Sequence, residues 1–217
     1  MRLRLFPKPS PTSKAATSPS RRPVAVAVTG GIGAGKSEAL KAFARHGAAV
    51  ISSDEIVHEL LRSDPEVQNA VRERWGGSLV GSDGAVDREG VARIVFSDRR
   101  ELQWLEALLH PRVVATYLHW RDKLAELPDP PAVCVTEVPL LYEVGGEERF
   151  DAVVVVTASS EVRISRQLRP MQDREQRLLS DEDKLARADF SFVNDGSLED
   201  LDAFVADVVG RLSSEAR

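Results

Sequence analysis

Lys36 and Ser37 close the run Gly30-Gly31-Ile32-Gly33-Ala34-Gly35-Lys36-Ser37. Its spacing is G-x-x-x-x-G-K-[ST]. Glycines in such a run let successive backbone N–H groups turn inward around a chain of phosphates. The lysine reaches the β- and γ-phosphates, and the hydroxyl that follows can ligate Mg²⁺. Gly31, Ile32, Gly33, Ala34, Gly35, Lys36, Ser37 and Glu38 form the expected nucleotide cradle. Glu38 is an odd neighbour for a triphosphate. On a helix its carboxylate can point away while its N–H still serves a phosphate.

A carboxylate able to orient or deprotonate a hydroxyl is the next requirement of phosphoryl transfer, and Asp54 is the candidate. It follows the second apolar run, at the edge where open α/β sheets place their ligands, so it is expected to face the loop. The alternative is a helix N-cap, which does not exclude that role. Glu137 ends the third apolar run and suits Mg²⁺ bound through water; the alternative is a solvated strand end. Arg163, Arg166, Arg169, Arg174 and Arg177 cluster in a polar helical stretch. Most read as a solvated face, and one or two are expected to supply positive charge over the γ-phosphate. Cys134 lies inside an apolar run and reads as core.

The elements that position these residues follow from periodicity. Val24-Ala25-Val26-Ala27-Val28 is a continuous β-type run, hence a strand buried on both faces. The loop and a helix over about 35–46 follow, then a second strand at 48–51 that completes a βαβ unit with the first. Residues 54–128 carry helical spacing: Val67, Val71 and Trp75; Val91, Ile94 and Val95 after a cap at Asp87; Leu102, Leu105, Leu108 and Leu109. Pro111 should kink or divide the last of these helices. Strands return at 132–138, 152–157 and 190–193, and Ser197 with Asp200 opens a final helix. Five β runs alternating with helices imply a three-layer α/β fold of the P-loop NTPase type. It has a five-stranded parallel sheet, an inserted helical lobe and a short lid. The expected boundaries are a basic tail (1–22), one domain (23–217) with its core at 23–53 and 129–217, a substrate lobe at 54–128, and a lid at about 163–180.

Composition narrows the function. The 217 residues carry a net charge of −5, and the first 22 hold six basic residues and no acid, which leaves −11 for the rest. So acidic a body is a poor candidate for general nucleic-acid binding, and no nucleic-acid partner is expected. No apolar run is long enough to span a membrane. A single cysteine excludes an internal disulfide framework and a multi-thiolate zinc site, and fits a reducing compartment, here the cytoplasm. The Pro/Ser/Thr-rich tail reads as disordered, with a transit peptide or a misassigned start codon as alternatives. No Asn-Lys-x-Asp guanine reader is present, which leaves ATP-dependent kinases of small molecules as the leading class. A nucleoside or nucleotide kinase and a non-catalytic nucleotide-binding module are the alternatives. A monomer or weak homo-oligomer is expected.

The same residues resemble the dephospho-CoA kinase family along most of the chain. Thr29–Ser37 is similar to its TGGIGSGKS, and Val50–Asp54 falls on its V-I-D-A-D segment, with Asp54 on the second, catalytic aspartate. Asp87-Arg88, Ile94-Val95-Phe96, Leu108-Leu109-His110-Pro111, Val138–Glu143, Ala188-Asp189-Phe190 and Asn194-Asp195-Gly196-Ser197 resemble its D-R, I-V-F, H-P, V-P-L-L-F-E, A-D-Y and N-D-G-S elements. The resemblance implies transfer of the ATP γ-phosphate to the 3′-hydroxyl of dephospho-CoA. It implies an acceptor site at Asp54, Arg88, His110, Pro139, Leu140 and Tyr142, and Asn194 at the nucleotide. Arg166 and Arg174 are the positional matches for the catalytic arginines, beside Lys36 and Asp54. Ser52 replaces the family's first aspartate, Leu178 stands where glutamine is common, and residues 167–180 are shortened and rearranged.

Overall fold

The computed structural model describes residues 22–166 and 179–215. The tail up to residue 21 and the stretch 167–178, with Arg169, Arg174, Arg177 and Leu178, lie outside the described residues. The apolar runs become β1 (Val24–Thr29), β2 (Ala49–Ser52), β3 (Val133–Glu137), β4 (Ala152–Thr157) and β5 (Phe190–Val193). All pair in parallel, in the order β2-β3-β1-β4-β5. β1 and β2 form the expected βαβ unit through the helix that joins them, but they are not neighbours, because β3 lies between them. Burial gives the reason. Every residue of β3 is buried, so it needs a strand on each side, whereas β2 is only half-buried and suits the edge.

Alternation along the strands feeds two cores. Val26, Val28, Val154 and Val156 face α1 (Lys36–Arg45) and its Ala39 and Phe43. Ala27, Val153 and Val155 face the opposite layer, with Leu141 and Tyr142. Between β2 and β3 come α2 (Ser53–Ser63), α3 (Pro65–Trp75), α4 (Arg88–Ser97) and α5 (Arg99–Ala125). They share their own core, which includes Val67, Val71, Val91, Leu105 and Leu109. Asp64, Asp87 and Asp98 accept backbone N–H bonds at the starts of α3, α4 and α5, satisfying first-turn donors. α2 docks on α5 where Ile56 meets Val113 and Tyr117.

Of the kink or division expected at Pro111, the division does not occur, and α5 is one helix of 27 residues. Proline removes one N–H, but Leu109 and Val113 are buried on either side of it and anchor the helix across the gap. The chain closes with α6 (Ser160–Arg166), α7 (Asp181–Ala186) and α8 (Leu198–Glu215). A reciprocal Ser197–Asp200 box precedes α8. Among the described residues no helix is long and apolar enough to cross a membrane. Because the strands are parallel, Thr29, Ser52, Glu137, Thr157 and Val193 all end at one edge of the sheet, and the candidate residues emerge there.

Candidate active site

The loop after β1 is shaped by what its glycines permit. Gly30 passes so close to β4 that a Cβ would stand 1.9 Å from the Val156 carbonyl oxygen. Gly35 has φ 99°, a left-handed conformation that side chains disfavour. It precedes α1 and offers no capping side chain, so the first-turn N–H groups of α1 remain open to an anion. The Lys36 ammonium reaches back over the loop and donates to the carbonyls of Gly30 (3.2 Å) and Gly31 (2.9 Å). Burial holds it below the usual lysine range; the charges of Glu137, Asp54 and Asp181 oppose this, and that of Lys184 adds to it. Ser37 is exposed at the helix start. Glu38 turns along the helix to pair with Lys41 at 2.7 Å, so its carboxylate leaves the loop as expected.

Glu137 and Asp54 come to the same place from different strands. Glu137 is buried and accepts from Ser52 Oγ at 3.3 Å. Burial pushes its carboxyl above the usual range, and the Lys36 charge opposes that shift. Asp54 is exposed in the first turn of α2. Ser52 takes the N-cap position and no side chain caps the helix, so Asp54 is not the cap. Lys36, Asp54 and Glu137 thus form one charged group at the sheet edge.

Asn194 is engaged by the loop itself. Its backbone N–H donates to the Thr157 carbonyl at 2.7 Å. Its side-chain Nδ2 donates to the Ala34 carbonyl at 2.9 Å, and the residue is buried. A Cβ at Gly35 would stand 2.2 Å from that Nδ2, so glycine there also makes room for the clamp. Arg166 donates to the Asn194 carbonyl at 3.0 Å, next to Gly35. Arg163 lies over Gly31 and pairs with Asp181 at 3.6 Å.

The helical block adds a cleft of about 350 Å³ beside this group, lined by Glu55, His58, Arg62, Val86 and Arg88 among others. The Arg88 guanidinium donates to His58 Nε2 across it. Sequence reasoning found Arg88 but missed His58 and Arg62. The signal was available, since four-residue spacing puts Asp54, His58 and Arg62 on one face of α2. His110 is exposed on α5 and does not line this cleft. The Pro139 carbonyl accepts from Thr29 Oγ1 at 3.3 Å, and Leu140 is half-buried beside it. Tyr142 is core instead of surface: it is 5% exposed, and the Arg187 guanidinium covers its ring at 4.3 Å. Two further charged residues escaped the sequence. Lys184 on α7 is fully buried and pairs with Glu143 at 2.9 Å, and Glu143 also accepts from the Leu179 N–H at 3.0 Å. Cys134 is buried core, and burial pushes its thiol up to about 11.

A parallel five-stranded sheet with this loop between its central strand and a helix defines a P-loop nucleotide-binding protein. The dephospho-CoA kinase pattern matches residues 24–200, and the chain belongs to that family. The dephospho-CoA kinase of Streptomyces avermitilis is 39% identical over 190 residues, 84% of this chain and 91% of that protein. The dephospho-CoA kinase of Chlorobaculum tepidum is 30% identical over 87% of this chain and 95% of its own length. Among solved structures, TT1252 from Thermus thermophilus aligns with a TM-score of 0.68 at 31% identity, over 88% of this chain and 98% of that one. The dephospho-CoA kinase from Campylobacter jejuni aligns at 0.67 and 26% identity, over 89% and 98%.

Proposed function

We propose that this chain transfers the γ-phosphate of ATP to the ribose 3′-hydroxyl of dephospho-CoA. The observation that carries the reading is the convergence of Lys36, Asp54 and Glu137 on the open N-terminus of α1, beside the cleft of the helical block. The loop amides and Lys36 would hold the phosphates. Arg166, beside Gly35, would face the inner phosphates, where the loop joins α1. Arg174, outside the described residues, remains the second arginine of this reading. Asp54 orients the acceptor and takes its proton. The acceptor oxygen forms a bond to the γ-phosphorus, and the bond from that phosphorus to ADP breaks.

Ser37 and Glu137 would hold Mg²⁺, which neutralises charge on the β- and γ-phosphate oxygens when bound. The residues fit. Mg²⁺ takes only one or two protein oxygens beside phosphates and water. A buried carboxylate beside Lys36 meets that need. Arg88, with His58, offers the acceptor a cation in the cleft. Pro139 and Leu140 would border it from the end of β3.

The test is ADP release with dephospho-CoA, run against adenosine, AMP and pantothenate as rival acceptors. Turnover with dephospho-CoA, yielding CoA, supports the reading. Turnover with a rival alone would keep the loop chemistry and overturn the acceptor.

A further inference from the structure

Two cations meet at Gly31. The Lys36 ammonium donates to its carbonyl at 2.9 Å. From the other side, Arg163 Nη1 comes so close that a Cβ on Gly31 would stand 2.8 Å from it. Since the loop lysine reaches the β- and γ-phosphates, the carbonyls of Gly30 and Gly31 mark the γ-ward end of the loop. Gly35, with Arg166, marks the inner end. The two arginines of α6 therefore lie at opposite ends of the loop.

The other cations here are committed. Arg166 donates to the Asn194 carbonyl, Lys184 pairs with Glu143 at 2.9 Å, and Arg187 pairs with Glu147. Arg163 is held more loosely. Its contact with Asp181, at 3.6 Å, is an ion pair without hydrogen-bond geometry. Its Nε is buried and has no hydrogen-bond partner among the described residues. A buried unpartnered donor on a planar guanidinium is costly, and a phosphate offers the acceptors that would satisfy it in a forked arrangement. Gly31 lacks the Cβ that would push this guanidinium off the loop.

We infer that Arg163 is the catalytic arginine of this kinase: its guanidinium contacts the γ-phosphoryl oxygens, with Asp181 holding it beside Gly31 until ATP arrives. The inference rests on ATP being the phosphoryl donor. It reassigns to Arg163 the γ-phosphate role that sequence matching gives to Arg166 and Arg174.

The test compares ADP with the β,γ-imido analogue of ATP by calorimetry, alongside steady-state turnover with dephospho-CoA. Arg163→Met is expected to keep the wild-type melting profile and bind ADP within about threefold of wild type, because ADP lacks the contacted group. Its affinity for the imido analogue should fall at least about tenfold. Its kcat should fall about a thousandfold, the low side of what an arginine at this position supplies. Arg163→Lys should lie between, since an ammonium keeps charge but lacks the fork. Gly31→Ala, which intrudes from the loop side, should reproduce the split between ADP and the analogue. Wild-type kcat in Arg163→Met would overturn the inference, and so would equal loss of both nucleotides. If the wild type itself fails to phosphorylate dephospho-CoA, the acceptor reading falls, and the ADP-versus-analogue split still decides the role of Arg163.

Discussion

Removing the Asn194 side chain should loosen the phosphate loop from behind. In Asn194→Ala the Nδ2 bond to the Ala34 carbonyl is lost, and that carbonyl belongs to a fully buried residue. A buried hydrogen bond is worth about 1 kcal/mol net, and leaving its acceptor unsatisfied costs about 1–3 kcal/mol. Part of this is offset, because Asn194 Oδ1 is itself buried without a partner and leaves with the side chain. A net destabilisation of about 1–2 kcal/mol follows, with the same order of bias against the binding-competent loop. Gly30, Gly33 and Gly35 all have positive φ, so the unclamped loop has many other conformations to visit. Apparent affinity falls with the competent fraction, so ATP should bind about 5–30-fold more weakly.

The assay is calorimetric titration of ATP, ADP and inorganic tripolyphosphate into Asn194→Ala and wild type, with a urea melt of each. If Asn194 acts on the loop, all three ligands weaken together, because the phosphates alone feel the change. If it reads the base instead, ATP and ADP weaken and tripolyphosphate does not, and the clamp argument is refuted. Unchanged affinity with lowered stability would also refute it, by making the clamp purely structural.

Three further outcomes are expected. Asp54→Asn should lower kcat by about 10²–10⁴-fold with little change in ATP affinity, as loss of a general base does; near-normal kcat would remove Asp54 from the chemistry. Because burial raises the Glu137 pKa, its ionisation opposes folding: that group's stability is fully present below the unfolded value of 4.5 and is lost as pH rises through the folded value. Glu137→Gln should therefore melt higher than wild type at pH 8 while losing turnover, and the gap should close as pH falls toward 4.5; a lower melting temperature at pH 8 would contradict the burial argument. Lys184→Met strands the buried Glu143 carboxylate and should cost about 3–5 kcal/mol in urea unfolding, most of it recovered by adding Glu143→Gln; additive losses in the double variant would mean that the pair is not coupled.

The sequence carries much of this architecture because the informative signals are local. An unbroken apolar run reads as a buried strand, and the glycine spacing before Lys36 defines the loop without reference to anything distant. The order of strands is not local. Full burial of β3 implies two neighbours without saying which, so the insertion of β3 between β1 and β2 was illegible. Pro111 shows the reverse case, a local signal for division that packing on both sides overrides. In the site, Asp54 and Glu137 were legible because strand ends point at ligands in any parallel sheet. Lys184 was not: within Asp181-Glu182-Asp183-Lys184 it reads as a solvated face, and only Glu143, far off in the chain, makes its burial tolerable. Arg163 was hidden for the same reason, among five arginines that no spacing rule separates.

The acidic body and the anionic substrate are reconciled by where the charges sit. Lys36, Arg163 and Lys184 gather at the loop, and acids accompany each: Glu137 and Asp54 near Lys36, Asp181 beside Arg163, Glu143 beside Lys184. Such balance keeps three cations together without the repulsion that a bare cluster would suffer at low dielectric. It also leaves the rest of the surface negative, so a polyanion such as nucleic acid is repelled except where the loop opens. Of the acids, Glu137 and Asp54 would have work of their own in the proposed reaction, one at the metal and one at the acceptor. The Glu137 charge that the proposed reaction needs is therefore the one whose burial costs stability, which is why Glu137→Gln is expected to raise stability while lowering turnover.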